Sequence, residues 1–310
     1  MTDENIDRVL AALHNLEAYK DVQADTCRIQ RLGGLTNLVY RVEAPAGAVI
    51  VRIPGDGTEE YIDREVEIHN ARAASRNGIA PEVLWADAAT GVMISACVLD
   101  IVTMTPELFA SRPGAAARAG TALRQLHQTE TPFRFRFELF AMIDEYLKVL
   151  STKETDLPEG YTQVVAEAAP IKDLLTRKPG HLVPSHCDPL CENFLDNGDR
   201  MWIVDFEYSG MNDALWDLGD LAVEAGLTRD QELEMLTAYF GATPTAAQVG
   251  RMVIYKAMCD LLWTLWGLIQ HADGNPAEDF WAYAENRFAR CKALILDPEF
   301  AGHLKAVAEE

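Results

Sequence analysis

The sequence is short of basic residues, and this excludes one large class of partners. Lysine and arginine total 27 against 48 aspartate and glutamate residues, and the formal net charge is −21. No basic run offsets this balance locally. Because such a field repels polyanions and attracts cations, we expect no binding to nucleic acid and no insertion into an anionic membrane. A cationic small molecule suits the charge, although solubility alone also accounts for it.

Cysteines are also few, and their spacing fits neither a zinc site nor a disulfide framework. The six are Cys27, Cys97, Cys187, Cys191, Cys259 and Cys291, and none belongs to a C-x-x-C pair. The acidic N-terminus lacks an apolar signal core. The longest apolar stretch, AMCDLLWTLWGLIQ, is short for a bilayer span and contains Asp260. We therefore expect a cytoplasmic protein in a reducing setting.

Two kinds of pattern divide the chain. Short strand patterns such as LVYRVEA and AVIVRIP dominate its beginning, together with one helical pattern of about five turns, EEYIDREVEIHNARAASRNG. From about Thr105, long helical patterns take over. The sequence predicts an α+β protein of two lobes: residues 1–100 form a small antiparallel-sheet lobe with one main helix, and residues 101–310 form a larger, mostly helical lobe. A cleft between two lobes is a favoured ligand site.

A tight group of polar residues precedes a short apolar strand pattern in the second part. VPSHCDPLCENFL places His186, Asp188 and Asn193 at the spacing H-x-D-x-x-x-x-N, and Asp205-Phe206-Glu207 ends the strand pattern that follows. In protein kinases this spacing forms the catalytic loop, and an Asp-Phe-Gly holds magnesium. Asp188 then orients the acceptor hydroxyl and receives its proton, Asn193 and Asp205 supply oxygen ligands for Mg²⁺, and His186 braces the loop.

A polar turn between two strands is the alternative interpretation of the same residues. Asn193 and Asp196-Asn197-Gly198 are ordinary turn residues. The apolar strand pattern with its Asp-Phe-Glu favours the kinase interpretation.

A glycine-containing loop in the first part matches another requirement of a kinase. RLGGLTNLVYRV supplies Gly33, Gly34 and Asn37 between two strand patterns, where kinases carry a loop over the phosphates. A simple hairpin turn is the alternative for the glycine pair.

A cation and an acidic partner follow in the expected order. VIVRIP places Arg52 where kinases usually carry lysine, and DREVEIHN offers Glu65 and Glu67 on the next helix. The two glutamates lie on different helix faces, so at most one meets Arg52. A solvated salt bridge is the alternative for such a pair.

With these motifs, the chain resembles the choline/ethanolamine kinases, within the aminoglycoside-phosphotransferase group of protein-kinase-like folds. The resemblance covers nearly the whole chain. It is most specific in GGLTNLVYRV, VRIPGDGTEEYIDREVE, HCDPLCENFL, VDFEYSGMNDALWDLGDLAVE and LLWTLWGLIQ. It implies a two-lobed kinase of phospholipid metabolism that transfers phosphate from ATP, with Mg²⁺, to the hydroxyl of choline, ethanolamine or a related amino-alcohol.

The resemblance also implies roles for the nucleotide-side residues. Arg52 is similar to the family's phosphate-binding arginine, with Glu67 as its partner, and Glu207 to a further metal ligand beside Asn193 and Asp205. The segment Cys97–Asp100, with Val98 and Asp100, is implied to meet the adenine. There ACVLDIVTM departs from the Glu-Gly common in the family.

An aromatic group with a nearby carboxylate is implied for the acceptor. Trp263 and Trp266 lie three residues apart on one helical face, and the resemblance places them with Tyr283 around the quaternary ammonium, with Glu224 and Tyr208 nearby. Such a cage suits a bulky cation. From spacing alone, core packing of both indoles is the alternative.

Three interpretations of function remain open at this stage. The first is an amino-alcohol kinase. The second is a phosphotransferase of the same fold that acts on an aminoglycoside, a sugar or thiamine. The third is a pseudokinase that binds a ligand without catalysis, which the presence of Asp188, Asn193 and Asp205 disfavours. The N-terminal helix could pack on its own lobe or mediate a homodimer.

Overall fold

A five-stranded antiparallel sheet forms the N-terminal part of the fold. The computed structural model describes residues 3–33, 37–55, 58 and 62–310. The sheet has the order β1-β2-β3-β5-β4, with strands β1 (Arg28–Arg31), β2 (Asn37–Ala44), β3 (Gly47–Pro54), β4 (Val83–Asp87) and β5 (Val92–Ala96). Every second residue of β3 is buried, as expected of a strand with one covered face. Helix α1 (Asp3–Leu13) contributes Val9 and Leu13 to the same core.

Helix α2 (Arg64–Arg76) follows the sheet's third strand and is shorter than the sequence predicted. Asp63 caps it, because its carboxylate accepts the backbone N–H groups of Glu65 and Val66. Residues 59–61, which the prediction included, lie outside the described residues. The alanines of α2 are buried in the core of the helical part and not in that of the sheet. This helix therefore joins the two parts of the molecule.

Helices dominate the fold from Pro106 onwards. They are α3 (Pro106–Ser111), α4 (Ala115–His127), α5 (Leu139–Leu150), α6 (Tyr161–Arg177), α7 (Ala214–Glu224), α8 (Arg229–Phe240), α9 (Ala246–Ala272), α10 (Phe280–Ile295) and α11 (Phe300–Ala308). Helix α9 lies at the centre, in contact with α5, α7, α10 and α11. It is long and apolar enough to cross a membrane, but 83% of its most apolar window is buried inside the protein. That burial is what a core helix shows.

Five short strands frame the polar segment that the sequence singled out. Strand β7 (Leu182–Ser185) pairs with β10 (Gly210–Asp213), and β8 (Phe194–Asp196) pairs with both β6 (Val102–Thr103) and β9 (Met201–Ile203). The strand predicted to end in Asp-Phe-Glu ends at Ile203 instead. Asp205 has φ of +68°, a left-handed conformation that a strand cannot contain. The predicted α+β fold, with an antiparallel sheet followed by helices, is confirmed.

Candidate active site

The loop between β7 and β8 carries Asp188 and is held by helix α7. The carboxylate of Asp217, in the first turn of α7, accepts the backbone N–H of His186 at 2.7 Å and that of Cys187 at 2.9 Å. Trp216 donates its indole N–H to the carbonyl of Cys187 at 3.0 Å. Cys187 has φ of +68°, which costs free energy in a residue other than glycine. These three bonds stabilise that conformation and position Asp188.

His186 and Asn193 tie this loop to the segment after β9. Nε2 of His186 lies 2.9 Å from the carbonyl oxygen of Val204. Burial lowers the pKa of His186, so its imidazole is neutral near pH 7. The Asn193 side chain donates to the backbone carbonyl of Asp188 at 3.2 Å, and the backbone carbonyl of Asn193 accepts the N–H of Val204. Both residues therefore tie the segment of Asp188 to the segment of Asp205.

The β8–β9 connection is the turn that the alternative interpretation foresaw, but Asn193 is not part of it. Asn197 accepts the backbone N–H groups of Asp199 and Arg200, and Gly198 has φ of +93°. Asn193 ends a short 3-10 helix before β8 begins.

Three carboxylates, one from α2 and two from the segment after β9, meet beside this loop. Glu67, Asp205 and Glu207 each bring an oxygen to within 4.8 Å of the others. Asp205 is the most open of them, with 36% of its side chain exposed. Loss of hydration and the charge of Glu207 raise the pKa of Asp205 to about 7. An all-oxygen set of this kind fits a hard cation such as Mg²⁺.

Glu207 is less available as a metal ligand than Asp205. Its Oε1 accepts from Asn37 at 2.6 Å and from Arg64 at 2.9 Å, and Arg52 lies 3.4 Å away. The Glu207 side chain is only 4% exposed. Asp205 is therefore the principal candidate ligand of the three.

Two arginines balance these acids, and the sequence pointed to only one of them. Arg52 on β3 contacts Glu67 and lies 3.5 Å from Asp205, whereas it forms no ion pair with Glu65 among the described residues. Nε and Nη2 of Arg52 are buried and meet no acceptor among the described residues, which fits a site that an anionic ligand completes. Arg64, at the start of α2, was missed; it bridges Glu67 at 2.8 Å and Glu207 at 2.9 Å.

The other described residues predicted to bind the nucleotide lie in the segments that follow β1 and β5. Gly33 is exposed with open space around it, and Gly34 lies outside the described residues. Val98 and Asp100 follow β5 in the segment between the sheet and the helices, and Asp100 has φ of +56°. Leu99 between them is 56% exposed. An exposed apolar side chain at this point offers a surface for a flat ring.

The aromatic residues predicted for the acceptor do lie together. The ring of Trp266 on α9 is 5.9 Å from that of Trp263 and 5.8 Å from that of Tyr283 on α10, both edge to face. All three are half-buried, so they are not simply core residues. Tyr208 is half-buried after the Asp-Phe-Glu segment.

Glu224, at the end of α7, has a partner that the sequence did not suggest. Arg287 on α10 contacts its Oε1 at 2.5 Å and lies over the Tyr283 ring at 5.1 Å. Burial and the charge of Glu224 raise the pKa of Asp188 to about 7, while Arg287 acts in the opposite direction. The base candidate and this ion pair are therefore close enough to interact.

Comparisons with known proteins place these observations in context. Residues 29–248 match the model of a family described as choline/ethanolamine kinase. Protein LicA of Haemophilus influenzae is 28% identical over 291 residues, covering 90% of this chain and 83% of its own. A solved choline/ethanolamine kinase family protein from Mesorhizobium loti is 54% identical with a TM-score of 0.90, and the match covers 98% of this chain and 99% of its own.

A more distant solved structure shows the same fold. The choline kinase LicA from Streptococcus pneumoniae has a TM-score of 0.74 at 22% identity, and the match covers 99% of this chain and 100% of the LicA chain.

Proposed function

This chain belongs to the choline/ethanolamine kinase family, and we propose that it phosphorylates the hydroxyl of choline or ethanolamine in an Mg²⁺-dependent reaction. As a family member it is an ATP-dependent phosphotransferase that acts on an alcohol. The metal, the base and the acceptor are the parts that we propose.

One helix carries the strongest support for the proposal. Asp217 at the start of α7 braces the Asp188 loop, and Glu224 at its end lies beside the aromatic residues. Residues seven apart lie on the same face of a helix, roughly 10 Å apart along its axis. Helix α7 thus supports the loop of the base candidate at one end and carries the cation-binding candidate Glu224 at the other.

In the proposed reaction, Asp188 holds the acceptor and takes its proton. Its carboxylate accepts a hydrogen bond from the acceptor hydroxyl and then receives that proton as the oxygen bonds to the γ-phosphorus and ADP leaves with the bridging oxygen. Arg52, positioned by Glu67 and Arg64, binds the phosphates. Bound Mg²⁺ supplies charge neutralisation of the phosphates, with Asp205 and Asn193 as its ligands and Glu207 as a further candidate.

The acceptor's ammonium group is proposed to lie against Trp263, Trp266 and Tyr283. A quaternary ammonium cannot donate hydrogen bonds, so ring faces and a carboxylate are its best protein environment. Glu224 supplies the carboxylate, and Tyr208 lines the approach from the metal side. Primary ammonium groups can donate, so ethanolamine depends less on the rings and more on Glu224.

A panel of acceptors tests the proposal directly. We expect Mg²⁺-dependent ADP release with choline or ethanolamine, and little with kanamycin, glucose or thiamine. Asp205→Asn should lower the affinity for Mg²⁺ and for the nucleotide, because it removes the most open carboxylate. Turnover of an aminoglycoside, sugar or thiamine in preference to amino-alcohols would contradict the proposed acceptor, and no turnover of any acceptor would favour a non-catalytic role.

We also propose a cytoplasmic location, where ATP and reduced thiols coexist. All six cysteines are free, and four of them are buried. A homodimer stays a prediction that gel filtration with light scattering would test.

A further inference from the structure

Arg287 places a permanent cation inside the proposed acceptor site. This side chain on α10 is 9% exposed and contacts Oε1 of Glu224 at 2.5 Å. Its guanidinium lies over the Tyr283 ring at 5.1 Å, and it approaches Asp260 at 3.4 Å. Two of the four groups proposed to meet the acceptor's ammonium, Glu224 and Tyr283, therefore contact Arg287.

Asp260 does not account for the position of Arg287. Arg290, one turn further along α10, already holds both oxygens of Asp260, at 3.1 and 2.6 Å. A two-point contact of this kind is the strong form of an arginine–carboxylate pair. The shortest contact of Arg287 is instead the one with Glu224, so Glu224 is its main partner.

Glu224 lies in surroundings that are already rich in acidic groups. It ends α7, where the partial negative charge of the helix terminus disfavours a carboxylate. Asp220 lies one turn before it, fully buried, with Oδ2 meeting no donor among the described residues. Arg287 is the cation that contacts Glu224 there, and this contact fixes the position of the carboxylate when no acceptor is bound.

We propose that Arg287 is a positioning residue of the acceptor site, which holds the Glu224 carboxylate in place for the acceptor's ammonium group. The inference rests on the proposed function. Glu224 is shared between a fixed guanidinium and the incoming cation, so recognition depends on the orientation of this carboxylate as well as on its charge. The effect of Arg287 then passes through Glu224, and it is confined to charged acceptors.

A double-mutant cycle with a matched control tests this role. Arg287→Met is expected to raise KM for the preferred amino-alcohol about tenfold or more, the scale of a charge-assisted hydrogen bond, and to leave KM for ATP within about twofold. Adding Arg287→Met to Glu224→Gln should cause little further change, since residues that act through one another are not additive. Arg290→Gln, which loosens the same Asp260 without touching Glu224, should leave KM for the acceptor nearly unchanged.

An uncharged analogue separates positioning from general packing. The inhibition constant of dimethylbutanol, the neutral isostere of choline, should not change in Arg287→Met. Arg287→Lys keeps a charge but loses the planar fork, so it should give an intermediate KM. If Arg287→Met does not fold, Arg287→Lys combined with Glu224→Gln still completes the cycle.

The outcomes distinguish this inference from the proposed function. Additive effects of Arg287 and Glu224, an equal effect on dimethylbutanol, or a lower KM for the cation in Arg287→Met would overturn the positioning role alone. The last result would mean that Arg287 mainly repels the substrate. Absence of turnover of every amino-alcohol by the unaltered protein would overturn both proposals.

Discussion

At the scale of single residues, Asp188 is set apart by its surroundings. It is half-buried in a loop whose backbone is held by Asp217, and loss of hydration together with the acids around it raises its pKa to about 7. A carboxyl group with a raised pKa is a better proton acceptor at neutral pH than an exposed one. A sequence motif identified this residue, but only its neighbours explain why it suits the task.

The first prediction concerns the removal of this carboxylate. Asp188→Ala should lower kcat by roughly 10²–10⁴-fold, the range of general-base catalysis. ATP affinity should change little, because Asp188 is not among the described residues that pair with Arg52 or Glu67. Steady-state kinetics and nucleotide titration check both values. Glu192→Gln, an exposed acid in the same loop, is the control, and equal kinetics in the two variants would remove Asp188 from the site.

A second prediction concerns the ring face that Trp266 offers. Trp266→Leu should raise KM for choline roughly 20- to 30-fold, since a desolvated cation–π contact is worth about 2 kcal/mol. The effect on ethanolamine should be smaller. Trp281→Leu is the matched control: this half-buried tryptophan packs against His271 and lies outside the group of Trp263, Trp266 and Tyr283. A choline KM unchanged by Trp266→Leu, in a folded variant, would place the acceptor elsewhere.

At the scale of elements, α7 links the loop that carries Asp188 to the helical core. Every residue from Leu215 to Val223 is buried, and the helix packs against α9. Its acidic residues Asp217, Asp220 and Glu224 follow the i, i+3, i+7 pattern of one helical face. The sequence WDLGDLAVE shows this spacing, yet only Glu224 was predicted as a site residue. Neighbouring residues in the sequence do not indicate which buried acid accepts a backbone N–H from a distant loop.

The third prediction tests α7 as the support of the catalytic loop. Asp217→Asn replaces one accepting oxygen by an N–H₂ group, so one of the N–H groups of His186 and Cys187 loses its acceptor. The free energy of unfolding should fall by about 1–3 kcal/mol, and kcat should fall with it as Asp188 loses its position. Urea denaturation and kinetics measure the two effects. Asp199→Asn, in an exposed turn, should change neither, and an unaltered kcat in Asp217→Asn would argue against the support role.

At the scale of the whole molecule, the net charge of −21 creates an electric field that acts in opposite ways on the proposed acceptor and on the nucleotide. It attracts a cationic acceptor and repels a nucleotide. Arg52 and Arg64 offset this charge locally, where the phosphates are proposed to bind, because they pair with Glu67 and Glu207. The protein as a whole is therefore strongly acidic, whereas acids and arginines are paired at the proposed phosphate site.

The fourth prediction follows from screening of this field. Between about 0.01 and 0.15 M salt the Debye length falls from about 30 to about 8 Å. KM for choline should therefore rise a few-fold over this range, while KM for ATP should stay constant or fall. Kinetics in sodium chloride, with dimethylbutanol inhibition as the uncharged reference, give the comparison. A salt response of dimethylbutanol equal to that of choline would exclude long-range attraction as its cause.

The sequence by itself determined the α+β fold, the order of its elements and the spacing of His186, Asp188 and Asn193. These features are local: helical and strand periodicity, caps and loop motifs depend on residues close together in the chain. The sequence predicted a start of α2 that is too early and an end of β9 that is too late. In each case a single residue sets the boundary through its backbone conformation: Asp63 caps α2, and Asp205 is left-handed after β9.

Only the tertiary structure decided the partners of the charged groups. Arg64 reaches Glu207 across 143 residues of chain, and Arg287 meets Glu224 although the two belong to different helices. Neither pair follows a periodicity. In a site crowded with acids, which carboxylate is neutralised depends on which guanidinium the packed helices bring within hydrogen-bonding distance, and only the folded chain specifies that distance.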